Sequence, residues 1–347
     1  MVTLENLLQK LPGVLLPWYE NNRRDLPWRR DREPYHVWLS EIMLQQTRVE
    51  AVKGYYQRFL VALPDIASLA NADDELLHKL WEGLGYYSRV RNLKKAAREV
   101  MALHSGQFPE KYAEVRSLPG IGDYTAGAIC SICYDQPTPA VDGNVLRVIA
   151  RITADETPVD RPAYKKTVAA DLAAVYPKAA GDFTQALMEL GATVCVPNGK
   201  PNCENCPCAH LCLAYEKHTQ QTLPVRLPKK GRRKEEKTVF ILSSGDSFAL
   251  CKRKDKGLLA GLWQFPEISG KLELGAALQE ARDMGLQVNE VYRQVDRKHI
   301  FTHIEWDMRG YYLEVCETND TFTWLTARQI EENAALPTAF RQFWDIR

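Results

Sequence analysis

The sequence predicts a multidomain protein, with a helical N-terminal part followed by an α+β part. Its 347 residues exceed the usual size of one domain. Apolar residues recur at helical spacing up to about residue 215, whereas β-rich stretches appear after residue 237. Between them, prolines and a run of basic residues that includes Lys229 and Lys230 are typical of a mobile linker. The predicted domains are therefore 1–214 and 237–347, with a linker over 215–236.

Helical periodicity is clear in three N-terminal stretches. The first is one apolar face of a long helix, formed by Trp38, Ile42, Val49, Val52, Tyr56 and Phe59. The second helix covers 69–84 and is ended by Gly83 and Gly85, and the third covers 93–103. In the C-terminal part, a helix is predicted over 272–284. The predicted strands are 238–243, 248–252, 292–295, 304–312 and 322–325.

Charge and hydropathy exclude some classes of protein and leave others open. No apolar run approaches the roughly 20 residues that span a bilayer, and the first ten residues lack the features of a secretory signal. We therefore expect a cytoplasmic protein. The net charge of +1 does not by itself indicate a nucleic-acid partner. Clustered arginines over 23–32 form either a local DNA-binding patch or a solvated basic face.

Five of the nine cysteines lie between Cys195 and Cys212. Such clustering in a cytosolic chain favours metal binding over disulfides. Four thiolates spaced as Cys195-x7-Cys203-x2-Cys206-x5-Cys212 suit either zinc or a [4Fe-4S] cluster. Because zinc ribbons usually have two CxxC pairs and this stretch has one, the spacing favours iron–sulfur.

The other cysteines are expected to play smaller parts. Cys208 either substitutes for a ligand or lies outside the cluster. The remaining four stand in apolar contexts and are expected to be buried and unreactive: Cys130, Cys133, Cys251 and Cys316.

The stretch Leu118–Ile129 contains a glycine turn followed directly by a helical pattern. Gly120 and Gly122 permit a tight turn with exposed backbone N–H groups, and the helix N-terminus adds further donors. Such a turn binds a DNA phosphate without needing a positively charged protein. A purely structural turn fits the same residues.

Two carboxylates stand among apolar neighbours. Asp142 opens a helical pattern, so it is either an N-cap or a functional group. Glu41 is followed by Ile42, Met43 and Leu44, which makes partial burial a competitor to a surface ion pair. Burial would raise the pKa of Glu41 and allow it to donate a proton.

Together these stretches resemble the adenine DNA glycosylases of the helix-hairpin-helix superfamily. The resemblance extends over nearly the whole chain and rests on Trp38–Thr47, Gly83–Arg91, Leu118–Ile129, Val141–Val148, Gly181–Ala192 and the four cysteines. It implies an all-α glycosylase domain with a [4Fe-4S] cluster held by Cys195, Cys203, Cys206 and Cys212. The implied substrate is double-stranded DNA in which adenine is paired with 8-oxoguanine or, more weakly, guanine, and the protein is expected to act as a monomer.

The resemblance also implies roles for individual residues. Glu41 would protonate the flipped adenine, and ionised Asp142 would face the developing sugar cation, as in glycoside hydrolysis. Tyr124 and Asn144 would orient Asp142. The residues implied to line the adenine pocket are Trp28, Arg29 and Gln185. Those implied to contact DNA are Gln46, Thr47, Tyr86, Gly120 and Gly122, of which Gln46 and Tyr86 would enter the duplex.

Two positions distinguish this chain within the superfamily. The lyase branch has a lysine nucleophile where this chain has Tyr124, and a phenol cannot form an imine. The resemblance therefore implies a monofunctional enzyme that leaves an abasic site. The first cysteine interval is seven residues rather than the usual six, which one extra loop residue accommodates.

The C-terminal part resembles the Nudix nucleotide hydrolases around Gly261–Pro266. Gln279 and Arg282 stand where carboxylates would be needed to hold Mg²⁺, so a binding domain is expected rather than a second hydrolase. Phe301, Thr302 and His303 are implied to recognise 8-oxoguanine, with Thr302 in place of the usual serine. The competing functions are a nucleotide hydrolase, a non-catalytic iron–sulfur DNA-binding sensor and a bifunctional lyase. They are opposed, respectively, by the missing carboxylates, by the Glu41–Asp142 pair and by Tyr124.

Overall fold

A computed structural model describes residues 4–228 and 231–347. The chain forms two compact units that do not follow the simple order of the sequence. The first unit comprises Met1–Asn71 and Asn92–Pro228, and the second comprises Ala72–Arg91 and Lys229–Arg347. Lys229 and Lys230 of the predicted linker lie outside the described residues, and the first β-strand begins at Arg233.

The N-terminal part is helical, as predicted. Its helices are α1 (Leu4–Leu8), α2 (Leu11–Asn22), α3 (Pro34–Leu44), α4 (Val49–Ala62), α5 (Ile66–Asn71), α6 (Asp74–Leu80), α7 (Ser88–Leu103), α8 (Tyr112–Ser117), α9 (Asp123–Tyr134), α10 (Gly143–Thr153), α11 (Pro162–Ala173), α12 (Ala180–Thr193) and α13 (Leu213–Glu216). Short 3-10 turns occur at Pro27–Arg29, Cys203–Asn205 and Ala209–Leu211. No helix among the described residues is long and apolar enough to cross a membrane.

The prediction of one long helix through Trp38 and Phe59 is wrong. The apolar periodicity continues across α3 and α4, but the chain leaves the helix between them. Gln46 adopts a left-handed conformation with φ of 59°, which an α-helix cannot accommodate. No glycine or proline marks this break in the sequence.

The single helix predicted over 69–84 is likewise two helices. α5 ends at Asn71, and Asp73 caps α6 by accepting hydrogen bonds from the backbone N–H groups of Glu75 and Leu76. The third predicted helix is confirmed by α7.

The core of the first unit positions the ends of α10 and α12. Helix α12 packs against α2, α9 and α10 around buried side chains such as Phe183 and Leu187. Gly191 makes this close approach possible, since a Cβ there would lie 2.7 Å from the Cβ of Asn144. The packing therefore fixes Asn144, two residues after Asp142.

The second unit contains the α+β fold that the sequence predicts. Its strands are β1 (Arg233–Ser244), β2 (Ser247–Lys252), β3 (Trp263–Gln264), β4 (Glu267–Ser269), β5 (Val288–Ile300), β6 (Ile304–Val315) and β7 (Thr323–Thr326). The sheet order is β3-β2-β1-β6-β5, with β4 paired to β1 and β7 paired to β2. The β1–β6 pair is parallel and the other pairs are antiparallel.

Helices cover this sheet through two apolar clusters. Helix α14 (Leu274–Asp283) packs in one cluster, whereas α15 (Ala327–Asn333) and α16 (Thr338–Trp344) pack in the other. The segment Ala72–Arg91 belongs to the same compact unit. Within it, the Glu82 carboxylate accepts from the Leu336 backbone N–H at 2.9 Å, and Arg91 donates to the Ala260 carbonyl at 2.7 Å. Sequence periodicity alone gave no sign that this segment joins the C-terminal fold.

Candidate active site

A cavity of about 840 Å³ in the first unit contains most of the residues singled out from the sequence. It is bordered by α3, the turn before α9, the start of α10 and α12. The predicted residues that line it are Trp28, Arg29, Glu41, Gln46, Thr47, Gly120, Gly122, Tyr124, Asp142, Asn144 and Gln185. Tyr86 and the Phe301–His303 loop belong to the second unit.

Glu41 is held inside the protein by its place on α3. Glu41 is only 6% exposed, and the next two residues, Ile42 and Met43, are also buried. The Tyr124 hydroxyl donates a 2.6 Å hydrogen bond to Glu41 Oε2. Burial raises the pKa of Glu41 to about 7, with the charge of Asp142 acting in the same direction and the Tyr124 hydrogen bond opposing it. The buried alternative is therefore the observed one, and Glu41 exchanges a proton near neutral pH.

Asp142 is both the N-cap of α10 and a wall of the cavity. Its Oδ1 accepts from the Val145 backbone N–H, and its Oδ2 accepts from the Asn144 side chain, each at 2.8 Å. Burial raises the pKa of Asp142, but these two hydrogen bonds oppose that effect. The N-terminus of α10 also favours the charged carboxylate. The two interpretations of Asp142 from the sequence, an N-cap and a functional group, are therefore compatible.

The hydrogen bonds around Asp142 differ in part from the expectation. Asn144 contacts Asp142 as expected, but the Tyr124 hydroxyl is bonded to Glu41. Arg147 donates to Asn144 Oδ1 at 2.8 Å and to the Gly191 carbonyl at 2.7 Å. The amide that holds Asp142 is thus itself held in place by a buried guanidinium.

A buried ion-pair cluster that the sequence did not suggest lies beside the carboxylates. The Glu189 side chain is 0% exposed and pairs with Arg24 at 2.7 Å and Arg29 at 2.8 Å. Burial alone would raise the pKa of Glu189, but the hydrogen bonds from both arginines outweigh it and lower that pKa. These two arginines are therefore not part of a solvated face. Glu189 carries the same sequence signal as Glu41, a charge among apolar helical neighbours, but its partners lie about 160 residues away.

The glycine stretch before α9 forms a tight turn, as predicted. Gly120 has a φ of 79°, and a Cβ there would lie 2.7 Å from the Cβ of Asn92. Gly122 is the N-cap of α9 and makes no side-chain capping hydrogen bond. Since Gly120, Gly122 and Asp123 line the cavity, the N-terminus of α9 borders it, and a helix N-terminus favours a bound anion.

The clustered cysteines surround a second, apolar cavity in the first unit. It is lined by Cys195, Cys203, Cys206, Cys208 and Cys212, by apolar side chains, and by Arg151, Asn202, Tyr215 and Gln220. Arg151 Nη1 lies 3.2 Å from Cys195 Sγ, and Arg147 donates to the Cys195 carbonyl at 2.8 Å. Two arginines on α10 therefore contact the loop that carries the thiols.

The four remaining cysteines do not share one environment. Cys130 is buried, Cys133 and Cys251 are half-buried, and Cys316 is exposed. The expectation of burial is wrong for Cys316, because it follows the last residue of β6, where the chain leaves the core.

The loop between β5 and β6 presents the predicted lesion-reading residues. Thr302 and His303 are exposed, whereas half-buried Phe301 packs edge-on against Trp306, with ring centroids 4.8 Å apart. The Tyr86 hydroxyl lies 2.8 Å from Thr302 Oγ1 within the same unit. The second unit therefore brings together two residues that are 216 positions apart in sequence.

Comparison with known proteins first defines the class. Residues 39–171 match the HhH-GPD superfamily of base excision DNA repair proteins, and residues 238–345 match a NUDIX domain. A thermostable thymine-DNA glycosylase aligns with a TM-score of 0.55 and 29% identity, over 61% of this chain and 98% of that one. A DNA complex of endonuclease III, at 21% identity and a TM-score of 0.53, shares the fold over 63% of this chain and 100% of that one.

Curated relatives then define the family. The chain is 35% identical to the adenine DNA glycosylase of Rattus norvegicus, over 96% of this chain and 77% of the relative. It is 37% identical to that of Arabidopsis thaliana, over 92% of this chain but only 61% of the longer plant protein. The chain therefore belongs to the adenine DNA glycosylases, DNA-repair hydrolases of N-glycosidic bonds.

Proposed function

We propose that this protein removes adenine paired with 8-oxoguanine, and more weakly adenine paired with guanine, and leaves an abasic site. The observation that carries the proposal is the pair of carboxylates, Glu41 and Asp142, in one cavity. The cavity is large enough for an extruded base. The adenine nucleotide must be flipped out of the duplex for its N-glycosidic bond to reach the two carboxylates.

Glu41 supplies the proton. A pKa of about 7 leaves roughly half of the Glu41 side chains protonated at neutral pH. Protonation of adenine at N7 makes the base a better leaving group, so the bond to the sugar breaks more readily. The Tyr124 hydroxyl holds the carboxyl group in place.

Asp142 stabilises the sugar as the bond breaks. Its two hydrogen-bond donors and the N-terminus of α10 favour its ionised form, whose negative charge would stabilise the positive charge of an oxocarbenium ion. It does so electrostatically or by a transient covalent bond. Since Tyr124 occupies the place of the lyase lysine, no imine forms there and the strand is not cut by that route.

The base is recognised by other residues of the same cavity. Trp28 and Gln185 line it, and the Arg29–Glu189 pair offers both hydrogen-bond donors and acceptors. On the DNA side, Gln46 and Thr47 line the cavity and the Gly120–Gly122 turn offers amides to a phosphate. The left-handed conformations of Gln46 and Tyr86 place both side chains on tight turns, which suits residues that enter a duplex.

Because Cys195, Cys203, Cys206 and Cys212 line one cavity, their side chains are close enough in the fold to support a shared [4Fe-4S] cluster. In the part of the chain that the structure describes, no three ligating side chains are grouped to hold a single metal ion. Arg151, beside Cys195, offsets the negative charge of the thiolates. When bound, the cluster would cross-link this loop.

The cluster assignment is tested by composition. The purified protein should contain about four irons per chain and be brown. Cys203→Ser should lose both, and Cys208→Ser should keep them, because Cys208 is not among the four assigned ligands. Zinc in freshly isolated protein, or loss of iron in Cys208→Ser alone, contradicts the assignment.

The substrate is tested by single-turnover excision on duplexes with adenine opposite 8-oxoguanine, guanine, cytosine and thymine. We expect the fastest release of adenine opposite 8-oxoguanine, slower release opposite guanine, and an intact strand until alkali is added. Equal rates on all four duplexes, or strand cleavage without alkali, would overturn the proposal.

A further inference from the structure

A third cavity, of about 420 Å³, lies beside the catalytic cavity in the first unit. The two cavities share Asp123, Tyr124 and Lys165 as lining residues. We call the third cavity the α11 groove, because Lys165 and Lys166 in the first turns of α11 form one of its sides. The mechanism proposed above makes no use of it.

The rest of the α11 groove is largely apolar. Its lining includes Tyr112, Pro137, Pro139 and Val141, of which the last three lie in the segment before Asp142 that forms neither helix nor strand. Ring and aliphatic surfaces of this kind pack against sugars, whereas the lysine side attracts anions. A groove with one apolar and one cationic side fits a sugar-phosphate chain.

The positive charge of the α11 groove is not neutralised by the protein. Among the described residues, neither Lys165 nor Lys166 lies within salt-bridge distance of a carboxylate. Asp123, the nearest acidic group of the groove, is already paired with Arg116 at 2.5 Å. That hydrogen bond lowers the pKa of Asp123, and the two lysines add to the effect. Lys165 is half-buried and Lys166 is exposed, so both amines can meet a ligand.

We propose that the α11 groove binds the sugar-phosphate backbone of the DNA strand that carries the excised adenine, next to the flipped nucleotide. This rests on the function proposed above. The strand must continue beyond the catalytic cavity once its base is inside. The shared residues Asp123, Tyr124 and Lys165 make the groove the direct continuation of that cavity. The two lysines neutralise phosphates there, and the proline side packs against the sugars.

Salt dependence of binding tests the charge contacts. The measurement uses full-length Glu41→Gln protein, which should not consume the duplex, with and without Lys165→Gln and Lys166→Gln. Each lysine that contacts a phosphate contributes about 0.9 to the slope of log K against log salt. We expect the double variant to lose nearly twice that slope and to bind roughly tenfold more weakly per lysine at about 0.1 M salt. Lys178→Gln, an exposed lysine beyond the far end of α11, should change neither.

Neutral methylphosphonates placed one at a time identify the strand. A replacement next to the adenine on its own strand should weaken binding of the Glu41→Gln protein, and should add nothing once both lysines are gone. Replacements in the opposite strand should weaken both proteins equally. An unchanged salt slope, or coupling of the lysines to the opposite strand, overturns the groove assignment.

Excision by the unmodified chain, measured in parallel, separates this proposal from the one on which it rests. Normal release of adenine with an unchanged slope in the lysine variant refutes the groove alone. Absence of adenine release refutes the proposed function, whatever the slope. Thermal unfolding and iron content of the lysine variant should match those of Lys178→Gln, since neither substitution removes a buried contact.

Discussion

The cavity that contains Glu41 and the Phe301–His303 loop differ in how far their polar side chains are exposed. In the cavity, the functional carboxylate of Glu41 is buried and hydrogen-bonded within the protein. In the loop, Thr302 and His303 are exposed, the Thr302 hydroxyl is hydrogen-bonded to the Tyr86 hydroxyl, and Phe301 packs against Trp306. The first region places a charge where water cannot screen it, and the second leaves polar groups where a partner can reach them.

Because of this difference, the two regions contribute different amounts of free energy, and they contribute it to different steps. Burial raises the pKa of Glu41 to about 7, which changes the chemistry of the group at neutral pH. A mismatched polar contact with a bound base changes a binding preference by about 1–3 kcal/mol. Substitutions in the cavity should therefore affect the rate on every substrate, whereas substitutions in the loop should affect the choice between substrates.

The largest effect is expected for Glu41→Gln. The amide fills nearly the same volume but cannot donate a proton to adenine, so single-turnover excision should fall by about two to four orders of magnitude. Binding to the mispaired duplex should stay close to that of the unmodified protein. Glu156→Gln, an exposed glutamate of the same unit, provides the matched control. A variant that cuts at the normal rate would remove Glu41 from the mechanism.

The pH dependence of the excision rate should report the protonation of Glu41. Glu41 is protonated below its pKa of about 7 and loses its proton above it. Excision should therefore fall about tenfold for each pH unit above 7, or roughly a hundredfold by pH 9. The measurement is the single-turnover rate at saturating enzyme from pH 6 to 9. A flat profile across that range would mean that another group donates the proton.

How far the sequence could predict these two regions depends on the range of the interactions. The burial of Glu41 and the capping role of Asp142 follow from near neighbours, so both could be proposed from local patterns. The partners of Glu189 and the joining of Ala72–Arg91 to the C-terminal fold depend on contacts between distant segments. The left-handed turn at Gln46 involves no glycine, so the sequence gives no local sign of the break between α3 and α4.

Substitutions in the Phe301–His303 loop should alter the preference for 8-oxoguanine over guanine rather than the rate of excision opposite guanine. Thr302→Ala combined with His303→Ala should reduce the preference for 8-oxoguanine over guanine by roughly 10- to 100-fold, because the oxidised base loses its hydrogen-bonding partners. The rate on adenine opposite guanine should change little. Thr321→Ala, also exposed in the second unit, should keep the preference. An undiminished preference in the double variant would assign lesion reading to other residues.

Point substitutions are a sharper test of the loop than deletion of the C-terminal part. The second unit includes Ala72–Arg91, and the Glu82 carboxylate accepts from the backbone of Leu336. A deletion after Tyr215 would remove such contacts from the segment that carries Tyr86. If the truncated chain lost its preference for 8-oxoguanine, either the missing Phe301–His303 loop or the disturbed segment around Tyr86 could be the cause, and the measurement could not separate the two.

The smallest change in rate, and the most specific one, is expected for Tyr124→Phe. The Tyr124 hydrogen bond favours the ionised form of Glu41, so its removal should raise the Glu41 pKa above about 7. A hydrogen bond to a charged group contributes about 1.5–3 kcal/mol, which corresponds to a shift of roughly one to two pH units. The rate at pH 7 should change less than about tenfold, while the alkaline limb of the profile moves upward. Tyr176→Phe removes a comparable 2.7 Å contact, with Thr184, away from the cavity and should leave the limb in place. If the Tyr124→Phe limb stays or moves downward, the hydroxyl does not control the proton on Glu41, and Tyr124 serves only to shape the cavity.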